Sequence, residues 1–265
     1  MSEKKVLVLG ANGMLGKMIS LHLNSLKFFE VTVSSRSKNK FINDNFEGKF
    51  LNLDIDYPLK NSLDEFLKEN NDYKYIVNCI GVIKPKIDER KNISIQNTIL
   101  TNSYFPLDLQ KLAEQRGIKY IQIGTDCVFS GKDGGYKEDS FMDAEDLYGR
   151  TKYLGEVSYP HCITLRTSII GHELKGNRSL LDWFLSQTGS VNGFAGVLYS
   201  GMTTLEMVNI LKAHIFPNPS LNGVYHISSD AISKFDLLQL CRSAYRHEIE
   251  IHREEQTKLD RSLDS

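Results

Sequence analysis

Short apolar runs alternate with helical patterns over the first two thirds of this 265-residue sequence. Such alternation is typical of a parallel sheet built from βαβ units. It predicts strands at Val6–Leu9, Val31–Val33, Phe50–Leu53, Tyr75–Cys79, Tyr120–Ile123 and Cys162–Leu165. It predicts a helix from about Gly13 and further helices over Leu59–Lys68, Thr98–Arg116 and Tyr148–Val157. The expected fold class is therefore α/β, with a Rossmann-like, doubly wound parallel sheet.

The rhythm changes after Arg166, where glycine, asparagine and serine become frequent. Helical patterns remain at Ser179–Gln187, Thr204–His214 and Ser233–Tyr245. We divide the chain into a nucleotide-binding domain, residues 1–170, and a smaller C-terminal lobe, residues 171–265. The lobe is expected to bind mainly substrate and to be interleaved with the last sheet elements. The last residues before Ser265 lack a helical pattern, which suggests a truncated chain.

Charge and composition exclude several classes of function. The formal net charge is −1, from 32 basic and 33 acidic residues, so the broad basic surface that nucleic acids attract is not expected. No apolar stretch reaches the roughly 18–20 residues that span a bilayer, and no signal-peptide pattern is present. Four cysteines without a CxxC pair predict neither a metal site nor disulfides. We therefore expect a cytoplasmic protein without nucleic-acid, membrane or metal binding.

A glycine-rich loop follows the first predicted strand directly. The spacing GxxGxxG allows a tight turn, a close approach to a pyrophosphate and a helix whose N-terminus faces the phosphates. The alternative is a glycine-rich turn without a ligand. The loop predicts dinucleotide binding by Gly10, Asn12, Gly13, Met14, Leu15 and Gly16.

The end of the second predicted strand bears on the choice of cofactor. NAD-specific proteins usually place an acidic residue there to hold the adenosine ribose. This chain has Ser35 and Arg36 instead, which could hold a 2′-phosphate, although Arg36 could equally be a solvated loop cation. NADPH is favoured and NADH stays open. Asp54 and Ile55 are candidate contacts for the adenine edge, or simply part of a turn.

Tyr148 and Lys152 are four residues apart, a spacing that places both side chains on one face of a helix. A lysine ammonium and an oxidised nicotinamide nearby would lower the pKa of the phenol, which is a poor acid–base group at its ordinary value near 10. Thr125 follows the Tyr120–Ile123 strand, and ligands of an open α/β sheet lie at strand C-termini. The order of these parts predicts a Thr–Tyr–Lys catalytic set, although Thr125 alone could be a turn cap.

With these parts in place, the sequence resembles the extended short-chain dehydrogenase/reductases, and within them the dTDP-4-dehydrorhamnose reductase group. The resemblance covers nearly the whole chain. Its main carriers are Gly10–Gly16, Val77–Gly81, Asn102, Thr125–Gly131, Asp146–Glu156 and Arg166–Ser168.

The resemblance implies a reductase of a nucleotide-activated 4-keto-6-deoxy sugar, with a nucleotide-diphosphate sugar as its partner. Asn102 would support Lys152 through a water or a backbone contact. Further cofactor contacts would come from Cys79, Ile80, Gly81, Thr167, Ser168 and Ile169. Candidate substrate residues are Cys127, Phe129, Trp183, Thr203 and Arg261. Trp183 and Thr203 could equally be packing residues, whereas the Arg261 guanidinium can clamp a diphosphate.

Other functions stay open at this point. Cys127 stands where the rhamnose enzymes usually have a tyrosine, so the sugar is not fixed. An epimerase that retains NAD and a non-catalytic regulatory subunit that binds NADP are the alternatives. A dehydratase is disfavoured, because Asp126 is not followed by a second carboxylate. The oligomeric state is not fixed either, and a homodimer is left open.

Overall fold

The computed structural model describes residues 4–46, 48–55 and 62–265 of the chain. Its strands are β1 (Lys4–Leu9), β2 (Phe29–Ser35), β3 (Lys49–Asn52), β4 (Tyr73–Asn78), β5 (Lys119–Ile123), β6 (Cys162–Arg166), β7 (Ile169–Ile170), β8 (Ser190–Phe194), β9 (Val197–Tyr199), β10 (Met202–Thr203), β11 (Gly223–His226), β12 (Ile232–Ser233), β13 (Glu250–Glu254) and β14 (Leu259–Asp260). Its α-helices are α1 (Met14–Asn24), α2 (Lys40–Asn45), α3 (Ser62–Glu69), α4 (Asn92–Ile99), α5 (Phe105–Arg116), α6 (Leu147–Leu154), α7 (Leu180–Leu185), α8 (Thr204–Ile210) and α9 (Lys234–Tyr245).

The central sheet has seven parallel strands in the order β11-β6-β5-β4-β1-β2-β3. Successive side chains of β1 point to opposite faces, as the period of two requires. Val6 and Val8 pack into the core formed with α1 and α8, whereas Leu7 and Leu9 pack into the core formed with α3 and α5. Helices therefore cover both faces of the sheet, and the predicted α/β fold class is confirmed.

Several element bounds differ from the sequence prediction. The helix expected over Thr98–Arg116 begins earlier, with α4, and a π-helical turn at Leu100–Tyr104 joins α4 to α5. The helix expected over Tyr148–Val157 ends with α6, before Gly155. A side chain at position 155 would collide with the main-chain carbonyl of Asn102, so glycine allows the two helices to approach closely here. The expected start of α3 near Leu59 lies outside the described residues.

The C-terminal lobe contains short strands that the sequence pattern does not reveal. Strands β12, β9 and β14 form a three-stranded sheet in that order, and β8 pairs with β13. Helices α7 and α9 pack on a small core that includes Phe184, Leu238 and Ile251. Strand β11 and helix α8, both beyond residue 170, belong to the central sheet and its core. Within the described residues, no helix is long and apolar enough to cross a membrane.

A buried ion pair fixes the end of β6. The Arg166 guanidinium donates from Nε and from Nη2 to the two carboxylate oxygens of Glu156, both at 2.8 Å. The side chains are 2% and 8% exposed, respectively. Arg166 also donates to the main-chain carbonyl of Glu138 at 3.1 Å. Both charged groups have lost their hydration, so the attraction between Arg166 and Glu156 has to offset the free-energy cost of burying each charge.

Candidate active site

The turn after β5 presents the first catalytic candidate. Thr125 is 6% exposed, and its hydroxyl accepts a hydrogen bond from the backbone N–H of Cys127 at 3.2 Å. The same hydroxyl donates to the carboxylate of Asp126 at 3.1 Å. Thr125 therefore caps the short 3-10 turn Asp126–Val128, as the alternative interpretation proposed, and also lies in the cleft.

Helix α6 brings Tyr148 and Lys152 to this turn. Asp146 caps the helix by accepting the backbone N–H of Gly149 at 2.8 Å. A side chain at position 149 would collide with the main-chain carbonyl of Cys127, so glycine allows α6 to pack directly against the Thr125 turn. The Tyr148 phenol lies close to the Thr125 hydroxyl. The structure thus brings together the predicted Thr–Tyr–Lys set.

Burial sets the protonation of both groups on this helix. It raises the pKa of Tyr148, although the Thr125 hydroxyl close to the phenol opposes the rise. From the sequence, a lowered pKa is expected in the presence of an oxidised nicotinamide. In the protein without cofactor the pKa of Tyr148 is raised instead, because desolvation of the phenolate outweighs the favourable contacts. Burial lowers the pKa of Lys152 to about 8, and its ammonium donates to the carbonyl of Ile123 at 2.8 Å. Tyr148 is therefore protonated at neutral pH and has a proton to donate.

Asn102 lies on the π-helical turn between α4 and α5. Its side-chain oxygen accepts the backbone N–H of Val82 at 2.8 Å, and its amide donates to the carbonyl of Val82 at 3.0 Å. The amide also donates to the hydroxyl of Thr151 at 3.3 Å. The predicted support of Lys152 is thus indirect, through the preceding residue, because the amide is used to hold the loop after β4. The π-turn, a feature often found at functional sites, places Asn102 there.

The glycine loop joins β1 to α1 as predicted. Gly10 has a φ of +83°, in the left-handed region, and a side chain on Gly16 would collide with the carbonyl of Gly10. Both positions therefore require glycine, and the N-terminus of the 11-residue α1 has no side-chain cap. Unpaired N–H groups at a helix N-terminus behind such a turn fit the phosphates of a dinucleotide. Leu15 is 4% exposed in the core, so only its backbone is left for a cofactor.

Asn12 ties the glycine loop to the segment after β2. It donates to the carbonyl of Ser37 at 3.2 Å and accepts from the side chain of Asn39 at 2.7 Å. The buried Ser35 hydroxyl donates to the same carbonyl at 2.7 Å. Arg36 is exposed beside them. These contacts place the glycine loop and the segment after β2 side by side. The role of Arg36 in cofactor choice stays a prediction.

The remaining cofactor candidates lie at the same edge of the sheet. Cys79 donates its N–H to the carbonyl of Leu9 at 3.0 Å, and burial raises the pKa of its thiol to about 12, while Lys152 nearby opposes the rise. Ile80 packs against Gly10. Gly81 follows the end of β4, Thr167 follows the end of β6, and Ile169 is the first residue of β7. Exposed Asp54 caps the N–H of Ile55 at 3.0 Å, which fits a turn.

The predicted substrate residues divide into two groups. Arg261 donates from Nε to the carbonyl of Phe129 at 2.9 Å, and its Nη1 lies 3.8 Å from the sulfur of Cys127. These two residues therefore lie beside the catalytic turn. Trp183 packs on the core of the lobe, and Thr203 caps α8 by accepting the N–H of Glu206 at 3.1 Å. Trp183 and Thr203 therefore have structural roles here, the alternative to substrate binding that the sequence left open.

The prediction that the Phe129 side chain contacts substrate is wrong. The ring is fully buried and stacks on Tyr136, with centroids 4.2 Å apart. The Arg166 guanidinium lies 5.3 Å from the ring centroid. Core packing surrounds the ring, so only the backbone carbonyl of Phe129 takes part in the site, through Arg261.

A model of the RmlD substrate binding domain matches residues 4–187, more than half of the chain. The chain is a member of this family. The predicted resemblance to dTDP-4-dehydrorhamnose reductases, which are extended short-chain dehydrogenase/reductases, is confirmed.

Individual relatives of this RmlD-domain protein are distant. Spore coat polysaccharide biosynthesis protein SpsK of Bacillus subtilis is 25% identical over 242 residues, which are 86% of this chain and 74% of that protein. Methionine adenosyltransferase 2 subunit beta of Xenopus tropicalis is 27% identical over 250 residues, 88% of this chain and 70% of that protein. A dTDP-4-dehydrorhamnose reductase from Bacillus anthracis, solved in complex with NADP, superposes with a TM-score of 0.74 at 19% identity. The superposition covers 96% of this chain and 85% of that chain, and it shows the fold alone.

Sequence reasoning missed two polar groups in the site of this RmlD-domain protein, the Asp126 carboxylate and the Tyr199 phenol. The buried carboxylate of Asp126 accepts from Thr125 and, at 2.9 Å, from the hydroxyl of Ser168. Ser168 had been assigned to the cofactor only. Tyr199 contributes a buried phenol beside Asp126 and Ser168. The Thr125–Asp126 dipeptide could have revealed the carboxylate, whereas no motif points to Tyr199.

Proposed function

We propose that this RmlD-domain protein is an NADPH-dependent reductase of a nucleotide-activated 4-keto-6-deoxy sugar, of the dTDP-4-dehydrorhamnose reductase type. The observation that carries the proposal is the Thr125–Tyr148–Lys152 set, with buried Thr125 and Lys152 and a half-buried Tyr148, at the edge of the sheet where β1 leads into the glycine loop. Family membership supports a reductase, and the B. anthracis relative binds NADP. The similarity to SpsK supports a role in polysaccharide biosynthesis.

The proposed mechanism reduces the C4 carbonyl of the sugar to an alcohol. NADPH, when bound, supplies the hydride that adds to the carbonyl carbon. Tyr148 donates its phenolic proton to the carbonyl oxygen as the C=O π electrons move onto that oxygen. The Thr125 hydroxyl lies close to the phenol and orients it. General acid catalysis of this kind contributes about 10²–10⁴-fold to the rate.

Lys152 supports the phenol electrostatically once it has lost its proton. Its ammonium is held inside the protein by the carbonyl of Ile123 at 2.8 Å. A positive charge in a site of low dielectric favours the tyrosinate that remains after proton transfer. Lys152 and the segments around Gly10–Gly16 and Ser35–Arg36 are the groups that we propose hold the cofactor. We also place the protein in the cytoplasm, since all four cysteines are free thiols.

The test is oxidation of NADPH and NADH at 340 nm with dTDP- and UDP-linked 4-keto-6-deoxy sugars. One active sugar would identify the nucleotide and the preferred cofactor together. Tyr148→Phe should then lose at least 99% of kcat and keep the Kd for NADPH, because the hydroxyl supplies the proton. Tyr153→Phe, on the exposed side of the same helix, is the matched control. Turnover that survives Tyr148→Phe would contradict the mechanism.

A non-catalytic role is the second candidate, because one relative is the beta subunit of a methionine adenosyltransferase. A protein that only binds a partner would not need a buried ammonium on the same helix as a tyrosine that lies close to a buried threonine. Binding of NADPH without turnover on any sugar of the panel would favour this candidate. Tightly bound NAD that copurifies, without net oxidation of NADPH, would instead favour an epimerase.

A further inference from the structure

The segment that follows Arg261, residues 262–264, is bound to the rest of the protein by hydrogen bonds. The N–H of Tyr136 donates to the carbonyl of Ser262 at 2.9 Å, and the N–H of Asp264 donates to the carbonyl of Tyr136 at 2.8 Å. These bonds join uncharged main-chain groups, so they do not titrate. Because Arg261 directly precedes the 262–264 segment, the position of the segment determines where Arg261 lies.

His226, at the end of β11, adds a contact to this segment that can titrate. The residue is 4% exposed. Its Nε2 lies 3.2 Å from Nη1 of Arg166, and its Nδ1 lies 3.2 Å from the carbonyl oxygen of Asp264. A guanidinium has donors and no acceptor, so Nε2 accepts from Arg166. The imidazole proton is therefore on Nδ1, which donates to the Asp264 carbonyl.

The surroundings of His226 oppose a second proton on the ring. The Arg166 guanidinium faces Nε2 from β6 and is paired with Glu156. The Glu138 carboxylate accepts the backbone N–H of His226 at 2.9 Å, and Asp264 itself is exposed to solvent. Burial lowers the pKa of His226, while Glu138 opposes this effect and Arg166 adds to it. The imidazole is therefore neutral at neutral pH while the segment is bound.

Opening of the 262–264 segment would expose His226 to water and restore its ordinary pKa near 6.5. Below that pH, the open form binds a proton that the closed form does not bind, so acid favours opening. If the closed form stays neutral, the equilibrium constant for opening rises about tenfold between pH 7.5 and pH 5.5.

We propose that His226 is a positioning residue for Arg261: its neutral imidazole holds the 262–264 segment closed, and its protonation releases the segment. The part that concerns substrate rests on the proposed function. Arg261 lies beside the catalytic turn, through the carbonyl of Phe129 and the sulfur of Cys127, and it is the candidate for the diphosphate of the nucleotide sugar. Diphosphate binding to Arg261 therefore favours the closed form, by mass action.

The first test follows hydrogen exchange of the segment by mass spectrometry at pH 7.5 and pH 5.5, corrected for the intrinsic pH dependence of exchange. The amides of Leu263 and Asp264 report opening, because Leu263 donates to the hydroxyl of Ser200 at 3.0 Å and Asp264 donates to Tyr136. In wild type the corrected rate should rise about tenfold at pH 5.5. A rise below threefold would overturn the inference.

His226→Asn shows whether the imidazole is the group that titrates. Its amide does not titrate and can still donate to the Asp264 carbonyl, so the corrected rate should no longer rise in acid. A rise equal to that of wild type would overturn the inference. His226→Gln, which does not titrate either, serves if the asparagine variant is unfolded. His214→Gln, at an exposed histidine, is the matched control and should keep the rise of wild type.

The second test adds dTDP or UDP at about ten times the Kd measured by calorimetry. Exchange of the segment should slow up to about tenfold, and Arg261→Gln should lose this protection. Binding without protection would overturn the role in positioning Arg261, while the reductase assignment would stand. If neither these nucleotides nor any sugar of the panel binds, the proposed function is overturned, and the pH dependence of exchange still decides whether His226 holds the segment.

Discussion

Replacing Lys152 by methionine should stabilise the cofactor-free protein at neutral pH. Burial lowers the pKa of this lysine to about 8, from the ordinary 10.5. At about 1.4 kcal/mol per pH unit, keeping the ammonium charged in the folded protein costs about 3 kcal/mol below pH 8. Methionine keeps the length of the side chain and removes the charge. The carbonyl of Ile123 still accepts from the side chain of Gln122 at 2.9 Å, so it is not left unpaired.

The sign of the pH dependence follows from proton binding in the two states. The unfolded chain keeps the proton on Lys152 up to pH 10.5, whereas the folded protein releases it near pH 8. Between these values the unfolded state binds more protons, so the stability of wild type rises with pH. The advantage of Lys152→Met should therefore shrink by about 2.5 kcal/mol between pH 7 and pH 10.

The assay is urea denaturation of wild type, Lys152→Met and Lys111→Met at both pH values. Lys111 is exposed on α5 and serves as the control, since loss of a solvated lysine should change the free energy of unfolding by less than about 0.5 kcal/mol. An advantage of Lys152→Met that stays constant from pH 7 to pH 10 would refute the reasoning. It would mean that the ammonium is solvated in the cleft.

Two further changes test the packing around the site. Glu156→Gln should cost about 3–5 kcal/mol of unfolding free energy, because it leaves the Arg166 guanidinium buried without its carboxylate; calorimetry measures this. The exposed ion-pair variant Glu145→Gln should cost less than about 1 kcal/mol, and equal losses would contradict the buried pair. Asn102→Leu removes both hydrogen bonds that hold Val82 and should speed hydrogen exchange in the loop after β4. Unchanged protection by mass spectrometry would show that the amide does not hold the loop.

The proximity of Thr125, Tyr148 and Lys152 could be predicted because its determinants are local. The glycine loop follows directly from one strand, and the spacing of Tyr148 and Lys152 fixes their common helix face. Parallel strands place their C-terminal ends at one edge, which brings Thr125 to the same place. The prediction went wrong at Phe129, since a sequence motif does not show whether a ring faces the cleft or the core.

The lobe could not be predicted in the same way. Strand β9 has three residues, and its partners β12 and β14 have two each. Runs this short carry no periodicity that separates a strand from a loop. The position of Tyr199 near Asp126 and Ser168 therefore becomes visible only when its strand is paired with residues 259–260.

The two halves of the site also differ in how far the chain must close on itself. Thr125 and Tyr148 are 23 positions apart in the sequence, whereas the bond between Arg261 and Phe129 spans 132 positions. Closing the longer loop costs about 1.5 kcal/mol more in chain entropy. The turn of Thr125 and the helix of Tyr148 can therefore assemble from neighbouring segments, whereas the contact between Arg261 and Phe129 forms only when distant segments meet. If the proposed function holds, a change around Arg261 alters contacts that form late in folding and leaves the turn and helix of the proposed catalytic set in place.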